Sequence, residues 1–269
     1  MNMRCFITAA VLMMPFAVHA APLLSAKAKT QTVRHCLTKI SCHTLTITRP
    51  QTGNPAIDAW AAGRLQKNWR LKGLDTAALR AALRRELKGT NTEDLGNCSG
   101  MEFSGDVGLL GQSPAYAVFA EEYYTYACGA HGNGTYALHV LPKNGAVKPV
   151  ALKDIVLKGK MKRLKQLQLE AWKQYLHSQD WGEGETMTDA EIADWLKEWP
   201  FEGTDNWQIS KGGLNFLFQT YEVGPYVIGR PELFIPAAKL KGIIRPGILR
   251  EASRYCENHG KGRPPKSCL

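Results

Sequence analysis

His43-Thr44-Leu45-Thr46-Ile47-Thr48 alternates polar and apolar positions, most of them β-branched, which is the pattern of a half-buried strand. Residues 21–32 before it read as a polar lead, and Val33–Thr48 alternates around the Cys36/Cys42 loop. Arg49-Pro50-Gln51-Thr52-Gly53 breaks the strand, and the period then becomes helical. Asn54 caps a helix with Pro55 at its first position and Ile57, Trp60, Ala61, Arg64, Leu65 and Trp69 at helical spacing, and Lys72-Gly73 ends it. Asp75 caps a second helix with Leu79, Ala82, Leu83 and Leu87 on one face. Cys98–Leu110 and Ala115–Cys128 read as a long hairpin turning at Gly111-Gln112-Ser113-Pro114. Thr135–Leu141 is a further strand and Lys143-Asn144-Gly145 a tight turn.

Leu152–Leu157 is a helical turn, and Leu164, Leu167, Ala171, Trp172, Tyr175 and Leu176 line one face of a basic amphipathic helix. Thr188-x-x-Glu191 is a capping box opening a helix with Ile192, Trp195, Leu196 and Trp199 on one side. Trp207–Ser210, Gly212-Gly213 and Leu214–Tyr221 form a hairpin pattern, and Glu232–Ile235 is a last strand before Pro236 and a helical turn. Helices and antiparallel hairpins are segregated, which predicts an α+β fold rather than a doubly wound parallel sheet. The expected organisation is a smaller N-terminal portion (21–97), a larger C-terminal portion (98–242) and a basic tail (243–269).

The N-terminus changes the picture by assigning a compartment. Phe6–Val18 is almost wholly apolar after Arg4, and Val18-His19-Ala20 carries small residues where cleavage is expected. Residues 1–20 therefore read as a secretory signal peptide, and the expected location is periplasmic or secreted. No later run is long and apolar enough to span a membrane, so no transmembrane segment is expected after cleavage. Cys5 leaves with the signal, and six cysteines remain. An even count in an exported chain reads as disulfides. Spacing favours Cys36–Cys42, Cys98–Cys128 and Cys256–Cys268. The middle pair is symmetric about position 113, so two strands folded at that turn set Cys98 opposite Cys128.

The formal net charge of +10 is unevenly spread. Lys27–Lys88 holds 13 basic and 3 acidic residues, whereas Asp180–Asp205 holds nine acidic residues and only Lys197. The basic balance suits peptidoglycan or another anionic envelope polymer. Nucleic acid is excluded by export and by the lack of any nucleic-acid-binding pattern. The acidic stretch is rich in tryptophan, and its helix offers Asp189, Glu191, Asp194, Glu198, Trp195 and Trp199 as a surface for a cationic protein partner; the alternative is a helix with a solvated acidic face and its tryptophans in the core.

Catalytic and metal-binding arrangements are not supported, and no cofactor or metal is expected. His131 in Tyr126–Leu138 (YACGAHGNGTYAL) has no second ligand at metal spacing. His35-Cys36 and Cys42-His43 would make a two-Cys, two-His metal set, but an exported chain favours the disulfide. Glu121 and Glu122 face opposite sides of a strand and are not a catalytic pair. Glu222 reads as a buried, hydrogen-bonded structural carboxylate.

Cys128–Leu138 (CGAHGNGTYAL), followed by LKDIV at 152–156, and Gly213–Pro236 (GLNFLFQTYEVGPYVIGRPELFIP) resemble the RsiV family. This is the extracytoplasmic domain shared by RsiV-type anti-sigma factors and the non-catalytic part of PdaC-type peptidoglycan deacetylases. The matching positions are Gly129, His131 and Gly132 in the first stretch and Tyr221, Glu222, Pro225 and Tyr226 in the second. The resemblance implies an RsiV-like α+β domain over 98–242, cell-envelope work and, as in RsiV, binding of lysozyme. The expectation is an exported, non-enzymatic binding protein for a lysozyme-like or other cationic envelope protein. A peptidoglycan or glycan binder is the alternative, and a wall-active hydrolase the weaker one.

Overall fold

The alternating stretch becomes β2 (Cys42–Gln51), which sinks Leu45 and Ile47 into a core and leaves Thr44, Thr46 and Thr48 on the other face. The structure is a computed structural model that describes residues 22–90, 98, 100–181 and 186–258. β1 (Lys27–Cys36) runs antiparallel to β2 from Lys27 opposite Gln51 to Cys36 opposite Cys42. Half of the expected polar lead is therefore strand. β1 lies at the sheet edge with much of its length exposed, so it lacks the apolar signal of an inner strand. Pro50 does not end β2 either. The strand on the far side, β3 (Glu102–Gln112), pairs only with Thr44–Thr48, so Pro50 sits where one side of β2 is unpaired.

α1 (Pro55–Asn68) and α2 (Thr76–Glu86) carry the chain from β2 to β3. Asn54 Oδ1 accepts from Ala56 N and Ile57 N (3.1 and 3.3 Å), and Asp75 Oδ1 accepts from Ala78 N (2.9 Å). That crossover makes β2 and β3 parallel, in a sheet whose other pairs are antiparallel. β4 (Tyr116–Tyr126) and β5 (Asn133–Pro142) complete the order β1-β2-β3-β4-β5. α3 (Leu152–Ile155), α4 (Met161–Ser178) and α5 (Asp189–Glu198) follow. β6 (Trp207–Ser210), β7 (Gly213–Leu217) and β8 (Glu232–Pro236) form a second, antiparallel sheet. β7 stops at Leu217 rather than Tyr221: its partner β8 begins at Glu232, opposite Leu217, and Tyr221 lies beyond in a left-handed turn conformation (φ 67°). α6 (Ala237–Leu240), α7 (Pro246–Ser253) and β9 (Cys256–Glu257) close the described chain.

The fold is α+β with two cores on opposite faces of the large sheet. Ile57, Leu65, Leu79 and Leu83 of the first two helices pack with Leu45, Val107, Ala117, Phe119 and Leu141. Val118 and Val140, next in sequence to residues of that core, point the other way. They join Trp172 and Leu176 of α4, Phe216 and Ile235 of the small sheet, and Ile244 and Ile248. The boundary expected at 97/98 thus falls between two strands that pair in one sheet.

Residues 243–257 correct the expected tail. Ile243, Ile244, Ile248, Ala252 and Tyr255 are buried, and β9 pairs with Gly111 and Gln112 of β3. Pro246 begins a helix here, at the first helical position where proline is tolerated.

Cys36–Cys42 and Cys98–Cys128 are disulfide-bonded. The geometric reason given for the second pair does not hold. Glu102 faces Tyr126, a register that would set Cys98 opposite Ala130, and both strands end before the cysteines. The bond joins the flanking segments at the open end of the β3–β4 hairpin. Cys256 is also disulfide-bonded, while Cys268 and the signal sequence lie outside the described residues. These bonds fit an oxidising, extracytoplasmic setting. No helix among the described residues is long and apolar enough to cross a membrane.

Candidate functional site

Among the described residues no strand pairs with the outer edge of β5 along Tyr136–Leu138, and two side-chain amides take that place. Tyr136 N donates to Gln219 Oε1 (2.9 Å), and Tyr136 O accepts from Gln219 Nε2 (2.6 Å) and Asn206 Nδ2 (2.9 Å). Leu138 N donates to Asn206 Oδ1 (2.7 Å). Edge groups that would otherwise be unpaired are satisfied, and the second core is fastened to the first sheet. Gln219 N donates to Glu222 Oε2 (2.6 Å), which begins the Tyr221–Tyr226 turn. Partial burial raises the Glu222 pKa, with the Gln219 N–H pulling the other way. Glu222 is nonetheless at the surface, not buried as expected, and its observed bond braces the turn.

The two signature stretches therefore meet in space. The Tyr226 ring stacks on His131, with centroids 3.8 Å apart and planes 18° from parallel, and Tyr221 lies 5.8 Å from Tyr226. His131 Nδ1 donates to Gly132 O (3.0 Å). Gly132 is buried beneath the Tyr124 ring, where a Cβ would have no room. Pro225 precedes a 3₁₀ turn, Tyr226–Ile228, that holds Tyr226 and Val227 outward. Tyr226 is 43% exposed, Tyr221 49% and Val227 83%, large apolar groups left in water side by side.

The Gly129–Gly134 turn divides two clefts. The larger, about 790 Å³, is lined by Trp69, Tyr123, Gly129, His131 and the amides Asn68 and Asn133. The smaller, about 270 Å³, lies between Glu122, Tyr124, Tyr226 and Arg230. Arg230 pairs with Glu122 (2.7 Å) and lies over the Tyr136 ring (4.7 Å).

Sequence reasoning missed the polar cluster behind the larger cleft. Glu121, 1% exposed, accepts from Arg64 Nε (2.7 Å), Asn68 Nδ2 (2.6 Å), Tyr123 OH (2.7 Å) and His139 Nε2 (2.5 Å). Burial opposes its charge, but the bonds from His139, Arg64 and Tyr123 outweigh it and hold the carboxyl down to about 2. Burial and the adjacent carboxylate raise the Tyr123 phenol. The Trp60 ring meets His139 edge-on at 5.2 Å. Every Glu121 oxygen is engaged, so the cluster serves as a structural tie between α1 and the sheet. The available signal was hairpin register, since Phe119 faces His139 and Glu121 is its diagonal neighbour. Glu122 projects to the opposite face, as adjacent strand positions require.

The acidic helix α5 is built as its capping box predicts. Thr188 N donates to Glu191 Oε2 (2.7 Å), and Glu191 N donates to Thr188 Oγ1 (3.4 Å). Asp189 contacts His177 (3.1 Å), Asp194 pairs with Lys197 (2.7 Å), and Glu198 is exposed. Trp195 and Trp199 are half-buried rather than free anchors. Trp195 packs against Trp181 (5.6 Å), and its Nε1 donates to Val223 O (2.9 Å), so α5 supports the exposed tyrosine turn from behind. Trp199 N caps the helix on Trp195 O (2.7 Å).

A family model matches part of this second half of the molecule. Residues 153–238 match the model of DUF3298, described as a protein of unknown function. The DUF3298 match takes in the tyrosine turn and the acidic helix, and it begins after Cys128–Leu138. A DUF3298 family protein from Pseudomonas aeruginosa PAO1 has a similar structure, with a TM-score of 0.63 at 19% identity, covering 86% of this chain and 98% of that one. A DUF3298 family member from Bacteroides fragilis NCTC 9343 gives 0.63 at 16% identity, with 87% and 98% covered. At these identities the likeness is one of fold. No curated protein sequence matches the chain.

Proposed function

We propose that this is an extracytoplasmic, non-enzymatic binding protein that docks a cationic envelope protein, of which a lysozyme-like wall hydrolase is the leading example. The observation that carries the reading is the exposed apolar turn of Tyr221, Tyr226 and Val227, stacked on His131 and backed by the acidic helix α5. Aromatic anchors beside a rim of one charge sign suit a partner of the opposite sign. The resemblance of both signature stretches to the RsiV domain supports the same partner class. The overall positive charge would repel a basic protein at long range, so the local acidic rim has to supply the attraction. The test is capture of a basic wall hydrolase by the purified protein and by two variants. Tyr226→Ala/Val227→Ser should abolish capture, and Asp189→Asn/Asp194→Asn/Glu198→Gln should weaken it and flatten its salt dependence. Unchanged capture by both variants would remove this surface from the account.

A glycan-binding reading is favoured by the larger cleft, where Trp69, Tyr123 and His131 adjoin the amides of Asn68 and Asn133. Co-sedimentation with purified peptidoglycan at low salt, lost on Asn133→Ala, would support it. Failure to co-sediment would count against it.

A further inference from the structure

A third cavity, about 290 Å³, lies between the two sheets, away from the exposed turn. Its apolar lining comes from Leu110, Leu138 and Leu217, and its aromatic lining from Tyr136 and Tyr255. Its charged side chains are Glu232 and Glu257, with no lysine or arginine in the lining. Gln208, nine-tenths buried in β6, and Asn215 of β7 complete one wall. Both amides donate to the same oxygen, Glu232 Oε1, from Gln208 Nε2 (2.7 Å) and Asn215 Nδ2 (2.5 Å). Those bonds fix the amide orientations, because only the nitrogens can face a carboxylate. Gln208 Oε1 and Asn215 Oδ1 are left buried without a donor, which is costly in a low-dielectric interior. The wall is thus rich in acceptors and short of donors.

Carboxylates outnumber cations among the surrounding charges, Asp106, Glu122, Glu232 and Glu257 against Arg230. Asp106 and Glu122 face each other directly across β3 and β4, a like-charge pair that destabilises a sheet. Burial raises the Tyr136 phenol, with Glu122, Glu232 and Asp106 adding to the effect against Arg230. Burial, Glu257 and Glu232 raise the Tyr255 phenol. Both phenols stay protonated at neutral pH and can donate. The chemistry of a matching ligand is already displayed beside the cavity, where the Arg230 guanidinium pairs with Glu122 and lies over the Tyr136 ring.

We propose that this cavity receives a single basic side chain, lysine or arginine, from the docked protein. Its carboxylates meet the cationic head, its tyrosines offer ring faces, and its leucines cover the methylene stem. The volume suits one such side chain rather than a larger ligand. Among the described residues no three His, Cys, Asp or Glu groups cluster as a metal site, which turns the acceptors toward an organic cation. The identity of the donor rests on the docking reading, but occupancy of the cavity does not.

The test is a titration of the purified protein with agmatine, a dication whose butyl chain joins a guanidinium to a primary ammonium, followed by NMR. N-butylurea serves as the uncharged control. Saturable shifts at Tyr136, Leu138 and Tyr255 are expected with agmatine and none with the control. Glu232→Gln/Glu257→Gln should weaken binding about tenfold. Glu257→Gln alone should weaken it less, and it touches none of the Glu232 bonds that hold the wall. Absence of saturable shifts, or equal affinity in the double variant, overturns the proposal. A protein that binds agmatine here but captures no basic protein keeps the cavity and loses the docking reading. One that captures the protein but not agmatine keeps docking and loses the cavity.

Discussion

Replacing Glu121 with glutamine should destabilise the protein far more than its small change in shape suggests. The carboxylate has two oxygens and four donors, with Arg64 and His139 on one oxygen and Asn68 and Tyr123 on the other. A glutamine keeps one oxygen; with its NH₂ toward Asn68 and Tyr123, the Asn68 amide loses its acceptor and Tyr123 OH falls back on Arg64 O (3.3 Å). The orphaned Asn68 donor costs about 1–3 kcal/mol and the weakened Tyr123 bond about 1 more, so about 2–4 kcal/mol is expected for the substitution. For a chain of this length that corresponds to a melting point roughly 4–16 °C lower. The wild-type protein should also carry a specific acid dependence. The folded pKa of Glu121 lies near 2, below its ordinary 4.5, so the folded state binds this proton less readily than the unfolded state. The resulting stability, on the order of 3 kcal/mol, is present above pH 4.5 and is lost as pH falls toward 2. Urea unfolding monitored by tryptophan fluorescence, in steps from pH 7 to 2.5, would read both effects. A loss under about 1 kcal/mol in Glu121→Gln, or an acid slope equal to wild type, would refute the reasoning.

Two other predictions bear on the Tyr126–Leu138 stretch. Cys98→Ser/Cys128→Ser should lower stability by about 3–4 kcal/mol, from loop entropy across a separation of 30 residues, and a calorimetric melt checks it. Gly132→Ala should force the Tyr124 ring off the turn, costing about 1–3 kcal/mol and disturbing the His131–Tyr226 stack, which Tyr226 chemical shifts would report.

Local rules carried much of the fold. The Asn54 and Asp75 caps, the Thr188–Glu191 box and the Thr-Leu-Thr-Ile-Thr strand all fold as their patterns predict, because each depends on neighbours within a few residues. What was illegible depends on distant partners. β1 reads as polar because it is an edge strand, paired with β2 alone. The parallel β2–β3 pair is a tertiary arrangement that no hairpin signal encodes. The Cys98–Cys128 bond forms although the register argument was off by two residues, since it spans loops rather than strands. In the candidate site, the two signature stretches were legible one by one. Their meeting through His131, Tyr226 and the Gln219 clamp on Tyr136 was not. The tryptophans of the acidic helix pack inward, which the sequence left open, because their burial depends on the turn that Trp195 supports.

The most direct measurement is a binding isotherm between the purified protein and a basic lysozyme-like hydrolase, compared with Tyr226→Ala/Val227→Ser. The account predicts saturable, salt-sensitive binding in the wild type that is lost in the variant while its fold and melting point are kept. Absent binding, or an unchanged isotherm in the folded variant, would contradict it.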